Sequence, residues 1–203
     1  MATQALFPTY IYHSPLAGAR QLNAELKREI ALLEKLDRHG RQWSKTHYRN
    51  GYSSYSSLTN LHHTSPNFGE LERALRPHVQ RFRRQLQWNL MNGEIQMTSC
   101  WANSMGRGCY HGLHLHPGSV ISGVYYVDVP AQSSPFKIED PRLSSLMAAP
   151  PRQAKAAAAQ QNYVLFPAKA GHLLLFESWL RHEVPPHQVQ ARRLSISFNY
   201  EWS

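Results

Sequence analysis

Apolar residues fall at helical spacing in the first half of the chain and at strand spacing in the second. Between Leu16 and Arg38, Leu22, Leu26, Ile30, Leu33 and Leu36 recur every three or four residues, with Glu25, Lys27, Arg28, Glu29 and Lys35 off that stripe. The spacing predicts an amphipathic helix closed by Gly40. A second run, Phe68, Leu71, Leu75, Val79, Phe82 and Leu86, predicts another helix, which Pro77 is expected to kink or split. GYSSYSSLTN, from Gly51 to Asn60, has no period and predicts a loop with at most a short strand. After Gly93 the period becomes two. EIQMTSCWAN, VISGVYYVDV, NYVLFP, GHLLLFE and RLSISFNYEW are short, rich in β-branched and aromatic residues, and bounded by Gly and Pro, which predicts seven or eight strands. Helices followed by a block of strands predict a mainly β fold with N-terminal helices: a sandwich or jelly roll with helices on one side, not alternating βαβ units. The Ala-rich stretch from Ala148 to Gln161 predicts a loop with one helical turn.

At 203 residues the chain is expected to form a single domain (1–203), with a helical segment (1–92) packed on a β core (93–203) that carries the site. No apolar run approaches the length of a membrane span. The first fifteen residues lack a basic stretch followed by an apolar one, and two cysteines cannot build a disulfide framework, so a cytoplasmic location is expected. The formal charge of +9 is unevenly spread. Residues 1–90 hold 13 Lys and Arg against 6 acids, residues 91–203 hold 9 against 7, and six of the twelve histidines lie between His111 and His187. The basic excess and the histidines therefore belong to different parts of the chain.

His114 and His116 stand two apart in GLHLHPG, and period two sends both imidazoles to one face. With His182, after the strand GHLLLFE, they could converge on a metal ion, each neutral imidazole giving one nitrogen; the alternative is a pair of ordinary polar residues on a solvated face. Eleven residues past His182, Arg193 and Ser195 share a strand face. Arginine clamps a carboxylate in two parallel hydrogen bonds and a hydroxyl can add a third, although a structural ion pair is the commoner use of such an arginine. His111, an odd number of residues from His114, is expected on the opposite face. His172 and His187 read as surface or structural, Cys100 and Cys109 as small buried hydrophobes, Asp140 with Arg142 as a salt-bridged turn, and Glu183 as pointing away from its neighbour His182.

These motifs together resemble the iron(II) and 2-oxoglutarate dependent oxygenases with a double-stranded β-helix, cupin-like core, and more closely a bacterial and phage branch of that superfamily. The matching stretches are LFPTYIYH, CWANSMGRGCYHGLHLHPGSVISGVYYVDVP, FKIEDPR, GHLLLFESWLRHEVPPH and RRLSISFN. The resemblance implies Fe2+ on His114, His116 and His182. It implies 2-oxoglutarate with its distal carboxylate on Arg193 and Ser195, further cosubstrate contacts at Asn103 and Tyr126, and O2 as the oxidant in a hydroxylation. From the residues alone, Asn103 could equally be a turn residue and Tyr126 a core aromatic. His116 departs from the pattern, since the superfamily usually has Asp or Glu there. Three histidines also suit zinc. Two other functions stay open: a cupin-like three-histidine dioxygenase that does without 2-oxoglutarate, and a non-catalytic binding module using the arginine-rich helix around Arg73–Arg84. That helix lacks the interleaved aromatics of a nucleic-acid surface, which argues against nucleic acid as its partner. The substrate, small molecule or protein side chain, is not legible, and a homodimer through the N-terminal helices is left open.

Overall fold

The computed structural model describes residues 2–203. Strand β1 (Ile11–Pro15) is followed by helices α1 (Ala19–Leu36) and α2 (Arg38–His47), strand β2 (Gly51–Ser53), the single turn α3 (Leu61–Thr64) and α4 (Pro66–Gln85). Eight strands come next: β3 (Ile95–Met105), β4 (His111–His114), β5 (Ile121–Asp128), β6 (Phe136–Glu139), β7 (Tyr163–Phe166), β8 (His172–Glu177), β9 (His182–Val184) and β10 (Arg193–Trp202). The strands pair antiparallel in two sheets, ordered β1-β8-β5-β10-β3-β2 and β4-β9-β6-β7, as in a double-stranded β-helix.

Strand alternation divides the core in two. One side chain in two along the central strands, including Tyr125 and Val127 on β5, Leu173 and Leu175 on β8, and Leu194, Ile196 and Phe198 on β10, packs against the apolar stripes of α1 and α4. The intervening residues, Val124 and Tyr126, Leu174 and Phe176, face the smaller sheet with Phe136, Ile138 and Val184. The helices thus cover one face of the large sheet and leave the other for the site, as period two requires. Gly123 sits where this packing is tightest: a Cβ would lie 2.3 Å from the Phe198 ring and 2.8 Å from the Leu174 carbonyl oxygen. Gly123→Ala is expected to destabilise the fold by about 1–3 kcal/mol through overpacking, read as a lower urea midpoint at unchanged slope.

Three expectations are corrected. Gly40 does not end the first helix; α1 stops at Leu36, and the Asp37 carboxylate accepts the Gly40 N–H at 2.9 Å to start α2. Gly40 lies inside α2 because a Cβ there would meet the Asp37 carboxylate at 2.1 Å and Ser57 Oγ at 2.8 Å. Of the two effects expected of Pro77, a kink or a split, the split does not occur: α4 runs unbroken for 20 residues. The proline lies on the exposed side, while Leu71, Leu75, Val79 and Phe82 are buried opposite, so tertiary packing outweighs one lost backbone bond. Residues 1–92 are not purely helical either, since β1 and β2 form the two edges of the large sheet. No helix among the described residues is long and apolar enough to cross a membrane.

Candidate active site

On β10 the residues turned away from the helices are Arg193, Ser195 and Ser197. All three line a pocket between the sheets, opposite β4 and β9. In the β4–β9 ladder His114 lies directly across from His182. His116 follows two residues later, held by its own N–H donating to the Ser178 carbonyl at 3.0 Å. His114, His116 and His182 each offer one ring nitrogen, and these nitrogens all lie within 4.8 Å of one another. His116 Nε2 and His182 Nε2 are 3.3 Å apart.

Hydrogen bonds prepare two of these rings as ligands. His114 Nδ1 donates to the Gly112 carbonyl at 2.7 Å and His182 Nδ1 to the Leu180 carbonyl at 2.8 Å. Each bond places the proton on Nδ1 and leaves the Nε2 lone pair facing inward, the arrangement that orients metal-ligating histidines. His114 Nε2 is buried with no hydrogen-bond partner. Burial first, and the neighbouring histidines second, push His182 down to about 2 and His116 down to about 4; His114 is lowered as well, again chiefly by burial. The cluster is therefore neutral at pH 7.

A pH dependence follows. His182 binds no proton in the folded protein at pH 5, whereas the unfolded chain, titrating near 6.5, does. The stability present above pH 6.5 is therefore lost as pH falls. For His182 alone the loss between pH 7.5 and 5 is about 2 kcal/mol, so thermal melts of the metal-free protein are expected to drop by roughly 4–8 °C over that range. An unchanged Tm would show that the imidazole is protonated in the fold.

At the other end of the pocket Arg193 is 1% exposed, yet it is in none of the ion pairs among the described residues. Its Nη1 reaches Met105 Sδ at 3.1 Å and Ser195 Oγ at 3.5 Å, and the guanidinium carbon lies 5.0 Å from the centre of the Tyr126 ring. Nε and Nη2 have no partner, nor does the buried Tyr126 hydroxyl. Burial raises that phenol above its usual range, so it remains a hydrogen-bond donor. A cation–π contact offsets only part of the cost of a desolvated guanidinium. Donors left in this state call for an anion.

Of the sequence candidates, His114, His116, His182, Arg193, Ser195 and Asn103 line this one pocket. Tyr126 packs beside Arg193 in the core cluster between the sheets. Asn103 lies in β3 rather than in a turn, and its amide is already engaged: Oδ1 accepts from Ser53 Oγ at 2.8 Å and Nδ2 donates to Ser197 Oγ at 3.0 Å. It braces the pocket wall. His111 is a correction. A register irregularity between His111 and His114 breaks the alternation, so its ring stacks on His114 with centroids 4.0 Å apart and lines the pocket. Trp101, near His116 (6.2 Å), and Tyr48, edge-on to His111 (6.0 Å), were missed. Trp101 shares the parity of Asn103 and could have been found that way, whereas Tyr48 lies outside any periodic segment. Elsewhere, Asp140 and Arg142 form the expected salt-bridged turn and both cysteines are buried. Glu183 turns away to Lys137 at 2.7 Å. His187 is buried, its Nε2 donating to the Ala191 carbonyl at 2.9 Å.

Two solved structures share the fold over nearly the whole chain. A prolyl-4-hydroxylase from Pseudomonas putida superposes with a TM-score of 0.60 at 14% identity, over 95% of this chain and 92% of that one. HygX from Streptomyces hygroscopicus, solved with nickel and 2-oxoglutarate bound, gives 0.63 at 13% identity over 95% and 83%. An oxidoreductase of the 2OG-Fe(II) oxygenase family from Burkholderia pseudomallei gives 0.42 at 17% identity; the match spans 55% of this chain and under half, 47%, of that protein. No curated protein matches the sequence. Residues 99–199, which carry the three histidines and Arg193, match the family model described as "Putative 2OG-Fe(II) oxygenase", and the chain belongs to that family.

Proposed function

We propose that the protein is a non-haem Fe(II) and 2-oxoglutarate dependent oxygenase, a hydroxylase, with His114, His116 and His182 holding the metal. The observation that carries this reading is the pairing, in one pocket, of two sets of buried polar atoms without partners: His114 Nε2 at one end, and Arg193 Nε and Nη2 with the Tyr126 hydroxyl at the other. The first set suits a metal ion and the second a carboxylate. A small dicarboxylate reaching between them satisfies both. Iron supplies the activation of oxygen, which the side chains of the pocket cannot.

The protein's own part is recognition and exclusion of water. Arg193 provides the positive charge and two parallel donors, Ser195 Oγ stands beside it, and Tyr126 offers a hydroxyl. His116 replaces the carboxylate usual at that position, so three neutral ligands leave the full double charge of the ion in place. Together with Arg193 the pocket then opposes three positive charges to a dianion, which favours cosubstrate binding. Phe136 and Phe176 flank His182, with centroids 5.0 and 4.6 Å away, and keep that side dry.

The test is an anaerobic titration of the metal-free protein with Fe(II), then 2-oxoglutarate. A visible charge-transfer band that saturates at one equivalent is the expected result. Iron binding with no band on adding 2-oxoglutarate would overturn the cosubstrate assignment and leave a three-histidine metal enzyme.

A further inference from the structure

Gly51, Met105 and Arg193 stand in one row across β2, β3 and β10, since Met105 is the ladder partner of both the others. Residues opposite one another on antiparallel strands turn their side chains to the same face. Met105 and Arg193 fill their places on the pocket face, with Met105 Sδ 3.1 Å from Arg193 Nη1. Gly51 has no side chain to do the same. Its place is taken by Tyr48: a Cβ on Gly51 would lie 2.7 and 2.8 Å from Cδ1 and Cε1 of the Tyr48 ring, and 2.7 Å from Cys109 Sγ. The ring therefore lies over β2, on the side of Arg193 opposite to Tyr126 on β5.

Tyr48 is 4% exposed and lines the pocket. Its backbone is fixed twice. Its N–H donates to the Ser44 carbonyl at 2.9 Å, closing α2, and its carbonyl accepts the Gly51 N–H at 2.9 Å. The phenol hydroxyl lies beside the buried Cys109 thiol. On its other side the ring meets His111 edge-on, with centroids 6.0 Å apart, and His111 stacks on His114. Tyr48 thus spans from the Arg193 row of the large sheet to the histidines of the small one. It comes from the N-terminal segment, whereas the metal ligands and Arg193 come from the β core.

A dicarboxylate that reaches from the histidines to Arg193 runs alongside this ring. A side chain held by close packing on one side and by the backbone at both ends cannot give way, so it sets the room available to the ligand. One methylene more or less in such a confined space is worth roughly 10- to 200-fold in affinity. We propose that Tyr48 determines cosubstrate specificity: its ring admits a 2-oxo dicarboxylate of the length of 2-oxoglutarate and excludes the homologue one methylene longer. This deepens the oxygenase reading and rests on it for the class of ligand.

The experiment compares 2-oxoglutarate with 2-oxoadipate in anaerobic titrations of the Fe(II)-loaded protein, read by the charge-transfer band, for the wild type, Tyr48→Leu and Tyr48→Ala. The wild type is expected to bind 2-oxoglutarate at least tenfold more tightly. In both variants that preference is expected to shrink at least tenfold, through a gain in affinity for 2-oxoadipate. Tyr48→Leu keeps apolar contact with Gly51 and Cys109, and so serves where the alanine variant fails to fold. Equal affinity of the wild type for the two acids, an unchanged preference in the variants, or a parallel loss of both acids would each overturn the proposal while leaving the oxygenase reading in place. A wild type that binds Fe(II) and forms no band with either acid would overturn that reading, and the proposal with it.

Discussion

Arg193→Met is expected to give a protein that melts at a higher temperature and no longer binds 2-oxoglutarate. The guanidinium is almost fully buried and has no anionic partner among the described residues; what compensates it is one contact to a thioether sulfur, a weak acceptor, one weak hydroxyl contact and an aromatic face. Replacing such a charge by an apolar side chain of similar length removes an uncompensated desolvation cost, a gain of about 1–2 kcal/mol and roughly 2–8 °C in Tm for a chain of this size. The same change removes the group assigned to the distal carboxylate, for which roughly a hundredfold or greater loss of affinity is expected. Differential scanning calorimetry and the anaerobic titration read the two effects separately. A variant that is both less stable and still able to form the band would place Arg193 among structural arginines. Opposite signs for stability and binding mark a side chain retained for a ligand.

His182→Ala carries the second large effect. The wild-type protein is expected to gain about 2.7 kcal/mol of stability when Fe(II) or Zn(II) is present at a hundred times its dissociation constant. The variant is expected to gain nothing, because one of three ligands is gone and the remaining two, His114 at the end of β4 and His116 just after it, leave the ion with two protein ligands from one short segment. The alanine also leaves a void against Phe136 and Phe176, costing a further 1–3 kcal/mol or so in the metal-free state. A His182→Gln variant, closer in volume, separates the two contributions, since it restores packing without restoring an imidazole. His116→Asp provides the contrast: it supplies the carboxylate usual in the family and is expected to keep the metal-induced rise in Tm. Loss of the rise in His116→Asp together with its retention in His182→Ala would mean that the ion sits elsewhere.

Both expectations hang on residues that could be picked out before any coordinates. Period two in GLHLHPG and in RRLSISFN put His114 with His116, and Arg193 with Ser195, on common faces, because strand geometry depends only on local backbone conformation. The two helical stripes and the block of eight strands were legible for the same reason. Gly40 and Pro77 were misread because the rules for such residues are averages over local preference. In this fold an Asp37 cap and a buried stripe of leucines, both set by neighbours, override them.

Distances across the chain belong to the tertiary structure. That His114 faces His182, 68 positions later, follows from the β4–β9 pairing, which no local signal encodes. His111 entered the pocket through one irregularity in that ladder, and Tyr48 and Trp101 entered through the way α2 and β2 close the edge of the large sheet. Sequence alone determined which side chains could bind a metal and a carboxylate, because that is a matter of chemical type and of period. Whether those side chains meet and which of their atoms are left without partners were decided by the packing of the two sheets. Burial and hydrogen-bond satisfaction are properties of the assembled core and have no local equivalent.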